Sequence, residues 1–281
     1  MVGADMIKDI VVNLSLGDGR DCAAEFAISA AATLDAHLAG VAFTYDPFVP
    51  AIEMGVIPSD LIEIQREENE RLSTGAIDRF NEIARRNAIS AEARNIDAAS
   101  STAFDIFARV ARRFDLSIVP QPRPESSGTD AMFVEAALFG SGRPVLVVPY
   151  IQKDGLKLDR VTVCWDGSRA AARAIADALP LLAKAKTTEV ITVTDGAGEV
   201  DEIPGVDFAQ HLARHGIKIE LKRIVRGDLD IADVILSHAA DTSTDLIVMG
   251  GYGHSRLREF VLGGATRGLL KSMTAPTLMS H

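Results

Sequence analysis

Leu246-Ile247-Val248-Met249-Gly250-Gly251-Tyr252-Gly253 opens the stretch that decides the fold: an uninterrupted apolar run that breaks into glycines and continues to Gly263-Gly264-Ala265-Thr266. A short run without polar alternation is the pattern of a strand covered by helices on both faces of a parallel sheet. A glycine-rich loop followed by a helix start is a place to bind an anion. Gly250, Gly253 and Gly263 let backbone N–H groups approach it, and the first turn from Gly264 adds unpaired N–H groups at the positive end of the helix dipole. The spacing is Gly-x-x-Gly-x9-Gly, which is neither the P-loop pattern nor the compact dinucleotide turn.

The same alternation of strand and helix runs through the chain, twice. The first half reads as strands at 7–14, 40–45, 90–96, 116–120 and 144–149, separated by helices at 21–36, 60–87, 103–113 and 131–139. The second half reads as strands at 160–165, 189–194, 218–225, 246–249 and 276–279, with helices at 168–185, 207–215, 229–240 and 264–272. Alternating strands and helices imply right-handed crossovers and an α/β fold. The expectation is two tandem doubly wound, Rossmann-like domains, at 1–150 and 159–281, each a five-stranded parallel sheet with helices on both faces. Tyr150 to Leu158 is the linker. Ala171, Ala174, Ile175, Ala178 and Leu182 give one helix its apolar stripe, and Leu61, Ile64, Leu72, Ala76, Phe80 and Ile83 give another. Asp60 with Glu63 reads as a capping box for the longest helix.

The chain has 281 residues, enough for two cores, with 47% hydrophobic and 24% charged residues. A net charge of -10 opposes binding to nucleic acid, while a single nucleotide held by a few backbone donors remains compatible. The two cysteines, Cys22 and Cys164, lack metal or disulfide spacing and read as small buried hydrophobes of a reducing compartment. No uncharged apolar stretch approaches the roughly 20 residues that span a bilayer, and the first residues lack an apolar signal core. The expected location is cytoplasmic, without a membrane partner.

The glycine spacing resembles the nucleotide-binding signature of the universal stress protein family, and the repeated organisation resembles a tandem member of it. The resemblance implies ATP, or the related ADP or AMP, as ligand, with Mg2+ as a companion of the phosphates, and a role in stress response or signalling. By the same resemblance Asp166, in Asp166-Gly167-Ser168, binds the adenosine part and Val193 lines the adenine slot. Gly227 lines the site after the third strand, with Arg226 a candidate for phosphate charge and Asp228 a cap for the helix at Leu229. His254 and Arg256, with Ser255 and Arg258, lie in the glycine loop. The family places Ser or Thr where this chain has Gly264, so one phosphate hydroxyl is missing, with Thr266 nearby. A hydroxyl on a charged phosphate is worth about 1.5–3 kcal/mol, so triphosphate binding is expected to weaken or be re-tuned.

No efficient hydrolase is expected, because His254-Ser255 lacks an orienting carboxylate and no general base is evident. His211 and His215 share a helix face at zinc spacing but lack further ligands in sequence, which favours a solvated face; His238 and His281 carry no signal. Aligning 118–124 with 247–253 places Gln121 and Pro124 opposite Gly250 and Gly253, with Val134 and Glu135 opposite Gly263 and Gly264 further on; the ends of the first strands place Leu16 opposite Asp166, so the first half is read as degenerate. Two other functions stay open: a scaffold without a nucleotide, or a sensor whose first-half loop 46–58 and helix form a different pocket. The family's last strands pair between domains, so Val145–Val148 and Pro276–Met279 are expected to pair within the chain, in a unit that itself forms a homodimer.

Overall fold

The computed structural model describes residues 7–17, 19–46, 59–123, 129–196, 206–251 and 264–281. The first half runs β1 (Asp9–Asn13), α1 (Cys22–Leu34), β2 (His37–Tyr45), α2 (Ser59–Arg86), β3 (Ala91–Ala98), α3 (Ala103–Ala111), β4 (Leu116–Pro120), α4 (Thr129–Glu135) and β5 (Val145–Val148). The second runs β6 (Arg160–Cys164), α5 (Arg169–Leu182), β7 (Thr187–Thr194), α6 (Val206–Arg214), β8 (Ile219–Val225), α7 (Ile231–Asp241), β9 (Leu246–Gly250), α8 (Gly264–Ser272) and β10 (Thr277–Ser280).

The ten strands form a single sheet in the order β3-β2-β1-β4-β5-β10-β9-β6-β7-β8. Each set of five is parallel, as the apolar runs imply, and the sets meet where β10 pairs antiparallel with β5: Thr277 opposite Val147, Leu278 opposite Leu146, Met279 opposite Val145. The expected pairing of last strands therefore occurs and merges two five-stranded sheets into one. Burial on both faces explains the unbroken apolar strands. Ile10 and Val12 enter a core with α1, α2, α5 and α6, while Val11 and Ile247 enter a second core with α3, α4, α7 and α8.

Local chemistry sets the boundaries. Asp21 caps α1, accepting from the Ala24 amide at 3.0 Å, and Asp35 ends the helix in the left-handed region. Ser168 caps α5, accepting from the Ala171 amide at 3.1 Å. Asp60 lies inside the first turn of α2 rather than at its cap, and Ile64 is 60% exposed, so the apolar stripe begins further along, with Ala76 and Phe80 buried. The fourth helix of the first half widens after Glu135 into a π-helical segment, Ala136–Gly140.

The 150–158 linker is clamped onto α1. Arg20 donates to the carbonyls of Gln152 and Lys153, Cys22 Sγ to that of Tyr150, and the Leu156 amide to Ser29 Oγ. Cys22 and Cys164 are free thiols at element ends; both residues keep some exposure, although the Cys164 thiol itself is turned away from solvent. No described helix is long and apolar enough to cross a membrane.

Candidate functional site

In the second half the chain order 1-2-3-4-5 becomes the spatial order β10-β9-β6-β7-β8, so the crossover direction reverses between β6 and β9. Ligands of open α/β sheets bind at that switch point, outside the carboxyl ends of the strands. A cleft of about 180 Å³ opens there, lined by Cys164, Trp165 and Asp166 after β6, Ile191 and Val193 of β7, Met249 and Gly250 of β9, Ile231 and Ile235 of α7, and Ala265 and Thr266 of α8.

Of the residues chosen from sequence, Asp166, Val193, Gly250, Ala265 and Thr266 converge on this cleft. Asp166 Oδ1 accepts from the Ser168 amide at 2.8 Å, so the turn that starts α5 also fixes the carboxylate at the rim. Gly250 is required by packing: a Cβ there would lie 2.6 Å from the Ala171 nitrogen and 2.8 Å from the Ala170 carbonyl carbon. Thr266 is 2% exposed. Gly264 begins α8, with open space where a side chain would be. Burial pushes the Cys164 thiol up to about 12, which keeps it protonated and unreactive at neutral pH.

Gly167 and Gly227 do not line the cleft. Both occupy the left-handed region, at φ 75° and 58°, and serve as the turns after β6 and β8. Asp228 does not cap a helix at Leu229; α7 starts two residues later, with Asp230 at its N-cap position. Arg226 is held by Asp195 and by the Leu229 carbonyl, which accepts from Nη1 at 3.3 Å. Gly253, His254, Ser255, Arg256, Arg258 and Gly263 lie outside the described residues, as do Pro124 and the 47–58 loop. His211 and His215 face one another with ring centroids 4.9 Å apart, and no cluster of three potential metal ligands occurs among the described residues.

Sequence reasoning did not foresee the apolar walls, because Trp165, Ile231 and Ile235 look like ordinary core positions. It also missed His238, which is buried against Glu189, each side chain 7% exposed.

Strand register corrects the alignment of the two halves by one residue. Pro120 pairs with Val148 as Gly250 pairs with Ser280, so Pro120 and not Gln121 is the counterpart of Gly250. Gln121 corresponds to Gly251, their amides donating to Val148 and Ser280 respectively, each at 2.8 Å. Likewise Ser15, not Leu16, stands in the place of Asp166, since Asn13 pairs with Val41 as Cys164 pairs with Ile191. Pro120 lacks an N–H in any case. Phe43 replaces Val193 in the same register, and it is 1% exposed, with Phe133 packed at 5.5 Å between ring centroids. Two packed aromatic side chains of the first half therefore stand where the second half has Val193 beside its cleft. Gln121 is turned into a brace between the halves, its amide donating to the Leu270 carbonyl at 2.8 Å while its Oε1 accepts from the Tyr150 amide at 3.2 Å.

Comparison with known proteins agrees with this picture. Residues 157–281 match the sequence model of the Universal stress protein family. A universal stress protein of Synechocystis sp. is 30% identical over 146 residues, covering 48% of this chain and 46% of that protein, so less than half of either is matched. The crystal structure of a universal stress protein from Archaeoglobus fulgidus DSM 4304 superposes with a TM-score of 0.70 at 13% identity, covering 97% of this chain and 96% of the other. A functionally unknown protein from Pseudomonas aeruginosa PAO1 gives 0.61 at 15% identity, covering 97% and 92%. These two likenesses concern the fold, over essentially the whole length. Residues 157–281 thus resemble the universal stress protein family in sequence, and the chain as a whole shares the α/β fold of a solved universal stress protein.

Proposed function

We propose that the second half binds one adenine nucleotide per chain, ATP or its ADP or AMP relatives, and that occupancy rather than turnover is the output, as a cytoplasmic stress-response signal. The observation that carries this reading is the cleft at the switch point between β6 and β9. It gathers Asp166, Val193, Gly250, Ala265 and Thr266 around apolar walls. The walls suit the faces of a base, Asp166 can accept from ribose hydroxyls, and the first turn of α8 offers amides and a positive dipole end to phosphate.

The cleft is smaller than the roughly 300–1,000 Å³ of pockets that enclose a whole small molecule. In this reading it holds the base and sugar, while Gly253, His254, Arg256 and Gly263 serve the phosphates. Mg2+ would accompany a triphosphate through the phosphate oxygens, and no protein ligand is assigned to it. Residues 1–150 act as the structural partner, with Phe43 and Phe133 packed where the second half has Val193.

A second reading, a scaffold without nucleotide, is favoured by Gly264 in place of a hydroxyl. Thermal unfolding with AMP, with ATP and without ligand separates the two. A ligand at a hundred times its Kd stabilises the folded state by about 2.7 kcal/mol. Unchanged unfolding with either nucleotide at millimolar concentration overturns the nucleotide reading.

A further inference from the structure

A row of polar side chains lies directly beneath the cleft. Along α7, Ile231, Ile235, His238 and Thr242 recur at spacings of four, three and four, which places them on one helix face. The first two line the cleft. On the sheet, Thr162 and Glu189 are paired neighbours, as are Cys164 and Ile191 two residues further on. Two residues of strand rise about 6.5–7 Å, so the polar row runs that far below the cleft floor.

Within this row Glu189 Oε2 meets His238 Nε2 in a buried contact, and Lys222 Nζ stands 4.0 Å from Glu189 Oε1. The hydroxyls of Thr162 and Thr244 are 2.7 Å apart, and Thr242 Oγ1 donates to the His238 carbonyl at 2.8 Å. Elsewhere α7 meets the sheet and α8 through Ala232, Ile235 and Ala239. Aliphatic contacts are non-directional and tolerate sliding or rotation of a helix, whereas a carboxylate–imidazole hydrogen bond fixes both.

The first half provides an internal comparison. Register places Ala39 where the second half has Glu189, since Val11 pairs with Ala39 as Thr162 pairs with Glu189. Counting from Asp115 and Asp245, which hold equivalent places before β4 and β9, Ala108 stands where His238 does. The half with the packed aromatics has two alanines, and the half with the cleft has the polar pair.

We propose that Glu189 and His238 are a positioning pair for ligand binding: their contact sets the rotation and height of α7, so that Ile231 and Ile235 form a wall at the right distance for a base. The proposal rests on the nucleotide reading above. Buried polar contacts of this kind can specify one arrangement among several apolar ones. Removing one partner alone strands the other, so the informative variant removes both.

The test is AMP affinity by calorimetry for the wild type, Glu189→Gln and the double variant Glu189→Leu/His238→Leu, with ring 15N NMR of His238 in the wild type. Glu189→Gln keeps an acceptor for Nε2 and is expected to bind within a few-fold of the wild type. The double variant is expected to fold and lose at least about tenfold in affinity, equivalent to about 1.4 kcal/mol. The His238 ring signal is expected to shift on AMP addition while those of His211 and His215 stay. A folded double variant with wild-type affinity overturns the proposal, as does a His238 signal unmoved at saturation. If the double variant does not fold, Glu189→Gln and the ring signal decide. A wild type that fails to bind AMP or ATP overturns the nucleotide reading and this proposal together, whereas binding that is indifferent to the pair overturns this proposal alone.

Discussion

Replacing Gly250 with Ala puts a Cβ 2.6 Å from the Ala171 nitrogen and 2.8 Å from the Ala170 carbonyl carbon. Both are backbone atoms at the start of α5, so no side-chain tip can swing away. Ordinary contact begins at 3.4 Å, so the helix start must retreat by about 0.8 Å, the difference between 3.4 and 2.6. Overpacking of this kind costs about 1–3 kcal/mol. At roughly 2–4 °C per kcal/mol for domains of about 150–250 residues, Tm should fall by about 2–12 °C. The retreating segment carries Ser168 and, through its amide, the Asp166 carboxylate, so AMP affinity should fall as well. Differential scanning calorimetry and AMP titration check both outcomes. Gly264→Ala is the control, because its Cβ meets nothing within 4 Å. A Gly250→Ala protein with unchanged Tm and unchanged AMP affinity refutes the claim that backbone contact at this glycine shapes the cleft.

Gly264→Ser fits the open space at the start of α8 and should tighten ATP binding about ten- to a hundredfold, the worth of a hydroxyl on a charged phosphate, while leaving adenosine binding unchanged by titration. Phe43→Ala removes a buried aromatic ring and should cost about 3–5 kcal/mol in denaturant unfolding, yet calorimetric stoichiometry should stay at one nucleotide per chain. Gln121→Ala strands the Leu270 carbonyl and Tyr150 amide and should destabilise by about 1–3 kcal/mol. Burial pushes both Cys164 and Tyr45 up to about 12. Folded values above the unfolded ones mean that their stabilising effect is complete below about pH 8.5 and is lost as pH rises towards about 12. Denaturation midpoints should therefore fall across that alkaline range, and Cys164→Ala should flatten the early part of the fall.

The fold was legible because the inner strands, such as β1, β4, β5 and β9, are buried on both faces, while the edge strands β3 and β8 stay largely exposed. Runs such as Leu246–Met249 and stripes such as Ala171–Ala174–Ile175–Ala178 cannot satisfy any other arrangement. The pairing of β5 with β10 was legible only through family resemblance, since Val145–Val148 resembles any other central strand. At the site, glycines and the aspartate were visible because their chemistry is unusual at strand ends. The apolar wall was not, for Ile231 and Ile235 carry the same signal whether they face a core or a ligand. Nor was the Glu189–His238 contact, whose partners are 49 positions apart and individually unremarkable. The one-residue error in aligning the halves came from matching loop composition, whereas hydrogen-bond register is the physical constraint. The packing of Phe43 against Phe133 was invisible for a related reason: a phenylalanine inside a strand reads as core in either half.

The antiparallel seam between β5 and β10 joins two parts of one polypeptide. Separate subunits that met through the same strands would come apart on dilution, with an apparent stability that depends on their amount. Covalent linkage instead supplies each half with its neighbour at an effective concentration of millimolar order, whatever the level of expression. Sequence drift in the first half therefore leaves the second half's edge strand covered even when the protein is scarce.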